Sequence, residues 1–233
     1  MSAPIYGLQK TTLLDYPGHV ACTVFFGYCN FNCPFCHNSS LLLPSQNDVR
    51  IPESEVFSHL TKRKGILEGV CITGGEPTLY KELSPFLRKI KELGYKIKLD
   101  TNGTNPSLLH TLLEEQLLDY VAMDIKNSPK HYPLSTGSTV AVLPEINKSI
   151  ELLMTSSISY EFRTTLVKEH HTIQDIKEIG QWLAGDSSYY LQNFRDSKQV
   201  LQRNLHSFDY DTLALYLQTV KQYLPNSYLR GED

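Results

Sequence analysis

Short apolar runs alternate with amphipathic stretches along most of this chain, which restricts it to parallel strands joined by helices. Residues 20–26, 69–73, 96–101, 120–125, 160–166 and 188–194 read as strands. Several are nearly continuous in apolar residues, as strands covered on both faces should be. Helical patterns fall at 52–64, 80–93, 106–118, 144–155, 172–184 and 210–223. Asn105 before Pro106 supplies an N-cap and a first-turn proline, and Gly94 supplies a C-terminal stop. Six strand-then-helix units imply right-handed crossovers, in a doubly wound sheet or in one curling towards a barrel. Ligand groups are expected at the carboxyl ends of the strands, where the connections to the helices begin.

A chain of 233 residues with 41 % hydrophobic content can bury one substantial core, and no linker marks a boundary. A single domain over 1–233 is expected, with a core at about 14–194 and a C-terminal helix and tail at 195–233, loose after Pro225. The net charge of -3 and scattered Lys and Arg give no basic stripe for nucleic acid. Lys62-Arg63-Lys64 reads as a solvated helix end. No apolar run approaches the roughly 20 residues needed to cross a bilayer. Met1-Ser2-Ala3-Pro4 lacks the charged and apolar regions of a signal peptide. With five cysteines, an odd number, three of them crowded together, the chain reads as reduced and cytoplasmic.

Cys29, Cys33 and Cys36 lie in one short turn directly after the first strand. Thiolates at C-x3-C-x2-C can hold three irons of a four-iron cluster and leave the fourth open, which suits a reaction centre. The rival is structural zinc, with Cys22 or His37 as fourth ligand, although zinc sites usually pair two knuckles and no second one follows. Cys22 and Cys71 lie in apolar strands and read as inert core residues. His19 and His37 read as local hydrogen-bonding groups, and His170-His171 as a loop pair before a helix; none is assigned chemistry.

Other chemistry-bearing residues fall at later strand ends. Ile72-Thr73-Gly74-Gly75-Glu76-Pro77 gives a sharp turn whose backbone can approach a ligand, with Glu76 as an acceptor. Asp100 and Asn102 follow the third strand, and Asp124 and Lys126 close the fourth. They suit a small cation, ribose hydroxyls or a ligand carboxylate, or else simple turn capping and solvation. Arg163, inside the fifth strand, must face a carboxylate or an open lumen. A pair with Glu161 or Asp124 is the structural alternative.

These motifs together resemble the radical S-adenosylmethionine (SAM) superfamily, through the cysteine spacing with Phe35 inside it and Gly74-Gly75-Glu76-Pro77. Leu14-Asp15-Tyr16-Pro17-Gly18, Cys36-His37-Asn38 and Asp100-Thr101-Asn102-Gly103 are similar to glycyl-radical-enzyme activating proteins, most of all those of anaerobic ribonucleoside-triphosphate reductase. The resemblance spans roughly residues 14–194. It implies a partial (β/α)6 radical SAM barrel with parallel strands and an open lateral side.

It also implies an oxidoreductase with a [4Fe-4S] cluster on Cys29, Cys33 and Cys36. SAM would bind the open iron and be cleaved reductively to a 5′-deoxyadenosyl radical, which makes a glycyl radical on a partner enzyme under anaerobic conditions. Phe35, Gly74, Gly75, Glu76, Asp100, Asn102, Lys126 and Arg163 would contact SAM, with 191–194 near its adenine. Asp100, Thr101 and Asp124 would hold a monovalent cation with the Ala122 backbone, and reduced flavodoxin or ferredoxin would donate electrons.

One departure stands out: the family places glycine before the first cluster cysteine, and this chain has Tyr28 there, with Gly27 one position earlier. Other readings inside the superfamily are a pyruvate formate-lyase type activator and a small-molecule enzyme like 7-carboxy-7-deazaguanine synthase. A non-enzymatic zinc-binding module is the reading from another class.

Overall fold

The computed structural model describes residues 3–45, 48–138 and 140–231. Eight strands form one sheet in the order in which they occur along the chain. They are β1 (Ile5–Thr12), β2 (Ala21–Phe26), β3 (Gly69–Gly74), β4 (Lys96–Thr101), β5 (Tyr120–Asp124), β6 (Ser159–Leu166), β7 (Ser188–Asn193) and β8 (Ser227–Arg230). Strands β2 to β8 pair in parallel, and β1 pairs antiparallel with β2. The sheet stays open, with β1 and β8 at its two edges.

The six strands legible in the sequence are therefore the interior of a wider sheet. Strand β1 carries Gln9, Lys10 and Thr11 exposed in a row, so it lacks the apolar continuity of a covered strand. Strand β8 has four residues, too few for a period to register. Its place corrects the expectation of a loose tail after Pro225. Both Arg230 Nη atoms donate to the Glu161 carboxylate at 2.7 and 2.8 Å, and the guanidinium lies 3.7 Å from the centre of the Tyr190 ring. A bidentate pair on a fully buried carboxylate, with Tyr120 Oη donating to it as well, ties the edge strand across two neighbours.

Helices α1 (Glu53–Lys62), α2 (Leu83–Glu92), α3 (Pro106–Glu114), α4 (Tyr132–Thr136), α5 (Leu143–Thr155), α6 (Ile173–Trp182) and α7 (Tyr210–Lys221) complete the fold. On α2, Leu83, Phe86, Leu87 and Ile90 are buried at i, i+3, i+4 and i+7, the stripe that seats a helix on a sheet. Asn105 caps α3 through Leu108 N–H at 3.2 Å, and Gly94 takes φ 91 behind α2, as the sequence indicates. Helix α2 starts at Leu83 rather than at Tyr80, because residues 77–79 form a separate short turn capped by Glu76.

Alternation along each strand divides the side chains into two layers. Val24, Ile72, Leu99, Val121 and Phe162 are fully buried in the main apolar core. On the other layer, Thr23, Cys71, Lys98 and Tyr120 lie in register across β2 to β5. That second face is polar, and the site is built on its carboxyl-terminal rim.

Candidate active site

Strand β2 ends at Phe26, and the next residues must turn back over the rim. Tyr28 makes the turn with φ 72, a left-handed conformation that a bulky residue rarely adopts. Its backbone is held on both sides: Tyr28 N–H donates to the Leu41 carbonyl, and its carbonyl accepts from Glu76 N–H, both at 2.7 Å. Arg50 donates to the hydroxyls of Tyr6 at 2.9 Å and Tyr28 at 3.3 Å. Tyr28 thus takes the left-handed conformation itself.

A Cβ on Gly75 would collide with the Tyr28 carbonyl, and one on Gly74, at φ 120, with the Phe26 backbone. The two glycines are therefore needed to seat the β3 turn against the cysteine loop. A left-handed non-glycine residue costs ~1–3 kcal/mol. Tyr28→Gly is expected to keep wild-type iron uptake on anaerobic reconstitution. Tyr28→Val, stiff and β-branched, is expected to lower both iron uptake and melting temperature. Equal losses in the two variants would place the effect in the Tyr6 and Arg50 contacts instead.

Cys29, Cys33 and Cys36 line one cavity of about 250 Å³. Gly74, Gly75, Asp100, Thr101, Asn102, Asp124, Lys126, Arg163 and Phe35 line it too, so nearly every residue singled out in the sequence meets there. Burial pushes the Cys33 thiol up to about 12 and Cys29 to about 11, and raises Cys36 as well. The Lys126 ammonium opposes this at all three. Three desolvated thiols with one nearby cation suit a bound cationic centre that holds them as thiolates.

Of the two fourth ligands considered for zinc, Cys22 is fully buried in the apolar core, whereas His37 lines the same cavity as the three cysteines, with its Nε2 bonded to the Arg195 carbonyl at 2.7 Å. All five cysteines are free thiols. Among the described residues, no three His, Cys, Asp or Glu side chains converge on a single ion.

Glu76 stands apart from the lining. It is 1 % exposed, and its carboxylate accepts from Thr78 N–H at 3.1 Å, Thr78 Oγ1 at 2.5 Å, Thr101 Oγ1 at 2.8 Å and Asn102 N–H at 2.6 Å. Burial raises its pKa, and those four donors pull against the rise. The side chain clamps the β3 turn to the end of β4. Asn102 extends the clamp, donating to Asn30 Oδ1 at 2.8 Å within the cysteine loop.

Charges alternate along the rim. Arg163 Nε donates to Asp124 at 2.9 Å, and its Nη1 reaches Asp100 at 3.4 Å. Lys126 pairs with Asp124 at 2.9 Å and Lys98 with Asp100. The guanidinium and its neighbours hold both carboxyls below their ordinary range, despite burial. Arg163 thus bridges the two carboxylates considered for a cation, and Glu161 goes to Arg230 instead.

Two members of the rim were missed in the sequence. Lys98 is 2 % exposed, and the alternation in Lys96-Ile97-Lys98-Leu99-Asp100 puts it on the Asp100 face, a signal that was available. His171 accepted no role there, yet its buried Nε2 lies 3.0 Å from the Lys126 carbonyl. Burial lowers its pKa to about 4, so it is a neutral strut. Nothing in the local sequence marks it.

Residues 23–183 match the family described as the Radical SAM superfamily. A protein of Methanocaldococcus jannaschii named as a glycyl-radical enzyme activating enzyme is 30 % identical, over 83 % of this chain and 81 % of its own length. In fold, SuiB of Streptococcus suis bound to S-adenosylmethionine is similar, with TM-score 0.68, 18 % identity, and coverage of 88 % of this chain and 48 % of that one. QueE from Escherichia coli gives TM-score 0.60 and 16 % identity over 98 % of this chain and 93 % of its own. With the three cysteines inside the matched span and converging on one cavity, the chain is an enzyme of the Radical SAM superfamily.

Proposed function

We propose that this enzyme activates a glycyl radical enzyme, and that its partner is an anaerobic ribonucleoside-triphosphate reductase. The observation that carries the reading is the similarity, along most of both chains, to the M. jannaschii protein named as a glycyl-radical enzyme activating enzyme. An open-edged sheet suits it physically, since a macromolecular substrate must bring a backbone glycine to the rim. No helix among the described residues is long and apolar enough to cross a membrane.

Cys29, Cys33 and Cys36 would hold a [4Fe-4S] cluster, with Lys126 balancing part of the thiolate charge. When bound, the cluster and SAM together supply a carbon-centred radical able to take a hydrogen atom from a glycine. Arg163 would hold the SAM carboxylate, and the Gly74-Gly75 backbone its amino group. Glu76 keeps that backbone fixed through its four hydrogen bonds. Phe35 packs 5.5 Å from the His170 ring and lines the same cavity. A monovalent cation at Asp100, Thr101, Asp124 and the Ala122 carbonyl belongs to the same reading. It would require Arg163 to release one carboxylate.

Electron paramagnetic resonance on the reduced, anaerobically reconstituted protein with SAM and the reductase tests the proposal. A glycyl doublet on the reductase is expected. SAM cleavage without a doublet would move the reading to a small-molecule substrate. A colourless protein holding one zinc would remove the cluster altogether.

A further inference from the structure

The connection 194–209, between β7 and α7, is longer than the ~12–15 residues beyond which structureless loops in compact domains are usually functional or disordered. Here it is anchored. Val200 and Leu205 are buried, and its backbone lies on the cysteine loop. Gln202 N–H donates to the Pro34 carbonyl at 2.9 Å, His37 meets the Arg195 carbonyl at 2.7 Å, and Ser39 Oγ donates to the Gln199 carbonyl. Pro34 lies between Cys33 and Cys36, so this segment covers the outside of the thiol turn.

Its outer surface has a distinct chemistry. Lys198, Arg203 and Leu201, the last 43 % exposed, share this exposed segment with Arg195, whose guanidinium donates to the Gly231 carbonyl. Arg203 donates to the carbonyls of Ser197 and Lys198, both at 3.1 Å, which holds its charge beside Lys198. The acids of 194–209 are Asp196 and Asp209, the latter engaged in capping α7 through Thr212 N–H at 2.8 Å, and nearby Glu169 is bonded to His206 at 2.7 Å. The thiol loop beneath adds nothing, since residues 20–47 contain no Lys, Arg, Asp or Glu. A basic patch with an apolar centre thus lies over the cluster loop of a chain whose net charge is -3.

We propose that this patch is the docking surface for the electron donor, an acidic one-electron carrier protein. The inference rests on the radical SAM reading and locates where its electron enters. The donor loses one electron and the cluster gains it; no bond forms, and no proton is needed at the patch. A substrate glycine must enter the cavity, whereas an electron need only reach the cluster. No residue of 194–209 lines that cavity, so the patch suits a carrier beside the cluster better than a substrate above it.

Photoreduced flavodoxin serves as the acidic probe and photoreduced deazaflavin as a small reductant that needs no docking. Cluster reduction is followed by visible absorbance in wild type, Lys198→Glu and Lys198→Glu/Arg203→Glu. Steered association raises rates ~10–10³-fold, so at low salt the flavodoxin rate should fall about tenfold or more in the double variant, and less in Lys198→Glu. Added salt should slow wild type towards the variants, while deazaflavin reduces all three equally. Equal flavodoxin rates in wild type and the double variant, with deazaflavin reduction intact, would overturn the docking surface alone. A wild-type protein that deazaflavin cannot reduce, or that lacks a cluster, would overturn the radical SAM reading and the docking surface with it.

Discussion

Cys33→Ser is expected to fold like wild type and to lose SAM cleavage entirely. The thiol is 6 % exposed and burial holds it neutral in the free chain, but unlike Cys22 it lines the cavity, where a hydroxyl of similar size can find a polar partner, so the substitution disturbs little until the cluster must form. A serine hydroxyl does not replace a thiolate on iron, and the reconstituted variant should fall well below the about four irons of an intact cluster. Cys22→Ser is the contrasting variant. It buries a hydroxyl in the apolar core, at a cost of ~1–3 kcal/mol if the group finds no partner, yet each folded chain should still take up its full iron. Iron content, the visible spectrum and 5′-deoxyadenosine release decide the matter. Full iron and wild-type cleavage in Cys33→Ser would sink the assignment, and loss of the metal in Cys22→Ser would revive a four-ligand zinc site.

The central strands and the rim were legible because both follow from one fact, the burial of a parallel sheet on both faces. Strands β2, β3 and β5 are nearly continuous in apolar residues and β4, β6 and β7 alternate apolar residues with polar ones on the second face, so both kinds register as strands, and a charged group at their carboxyl ends is conspicuous. Lys126, Arg163 and Asp124 could be found this way without knowing what they bind. Edge strands escape the rule, since one side of β1 meets solvent and β8 is short. What joins β8 to the sheet is a long-range pair, Arg230 with Glu161, and no local pattern encodes it. The same limit hid His171, whose contact with Lys126 spans 45 positions. Glu76 shows a subtler gap. Its position in the motif was plain, but its clamp on Thr101 and Asn102 depends on the packing of two adjacent strand ends.

Arg163→Met should produce the largest change in stability among rim variants, and one that depends on pH in a defined direction. The guanidinium is 14 % exposed and donates to two carboxylates, so its removal leaves Asp100 and Asp124 facing one another with only Lys98 and Lys126 for compensation. Breaking a buried pair by deleting one partner costs ~3–5 kcal/mol. Both carboxyls have folded pKa values below the unfolded value of about 3.9. Their contribution is therefore present in full above that value, and is lost as pH falls through the folded pKa. Without the guanidinium the folded pKa values rise, so the variant has less of this stability to lose in acid. The difference between wild type and variant, read by urea denaturation, should be largest near neutrality and shrink below about pH 4. Arg163→Lys restores a charge without the two-armed geometry and should recover part of the stability. It should recover less of the SAM affinity, which in Arg163→Met is expected to fall by about 10–100-fold if one charge-assisted hydrogen bond of ~1.5–3 kcal/mol is lost. A stability difference that stays flat from neutrality to well below pH 4 would mean that the carboxylates find other partners, and the rim would then have to be redrawn around Lys98 and Lys126.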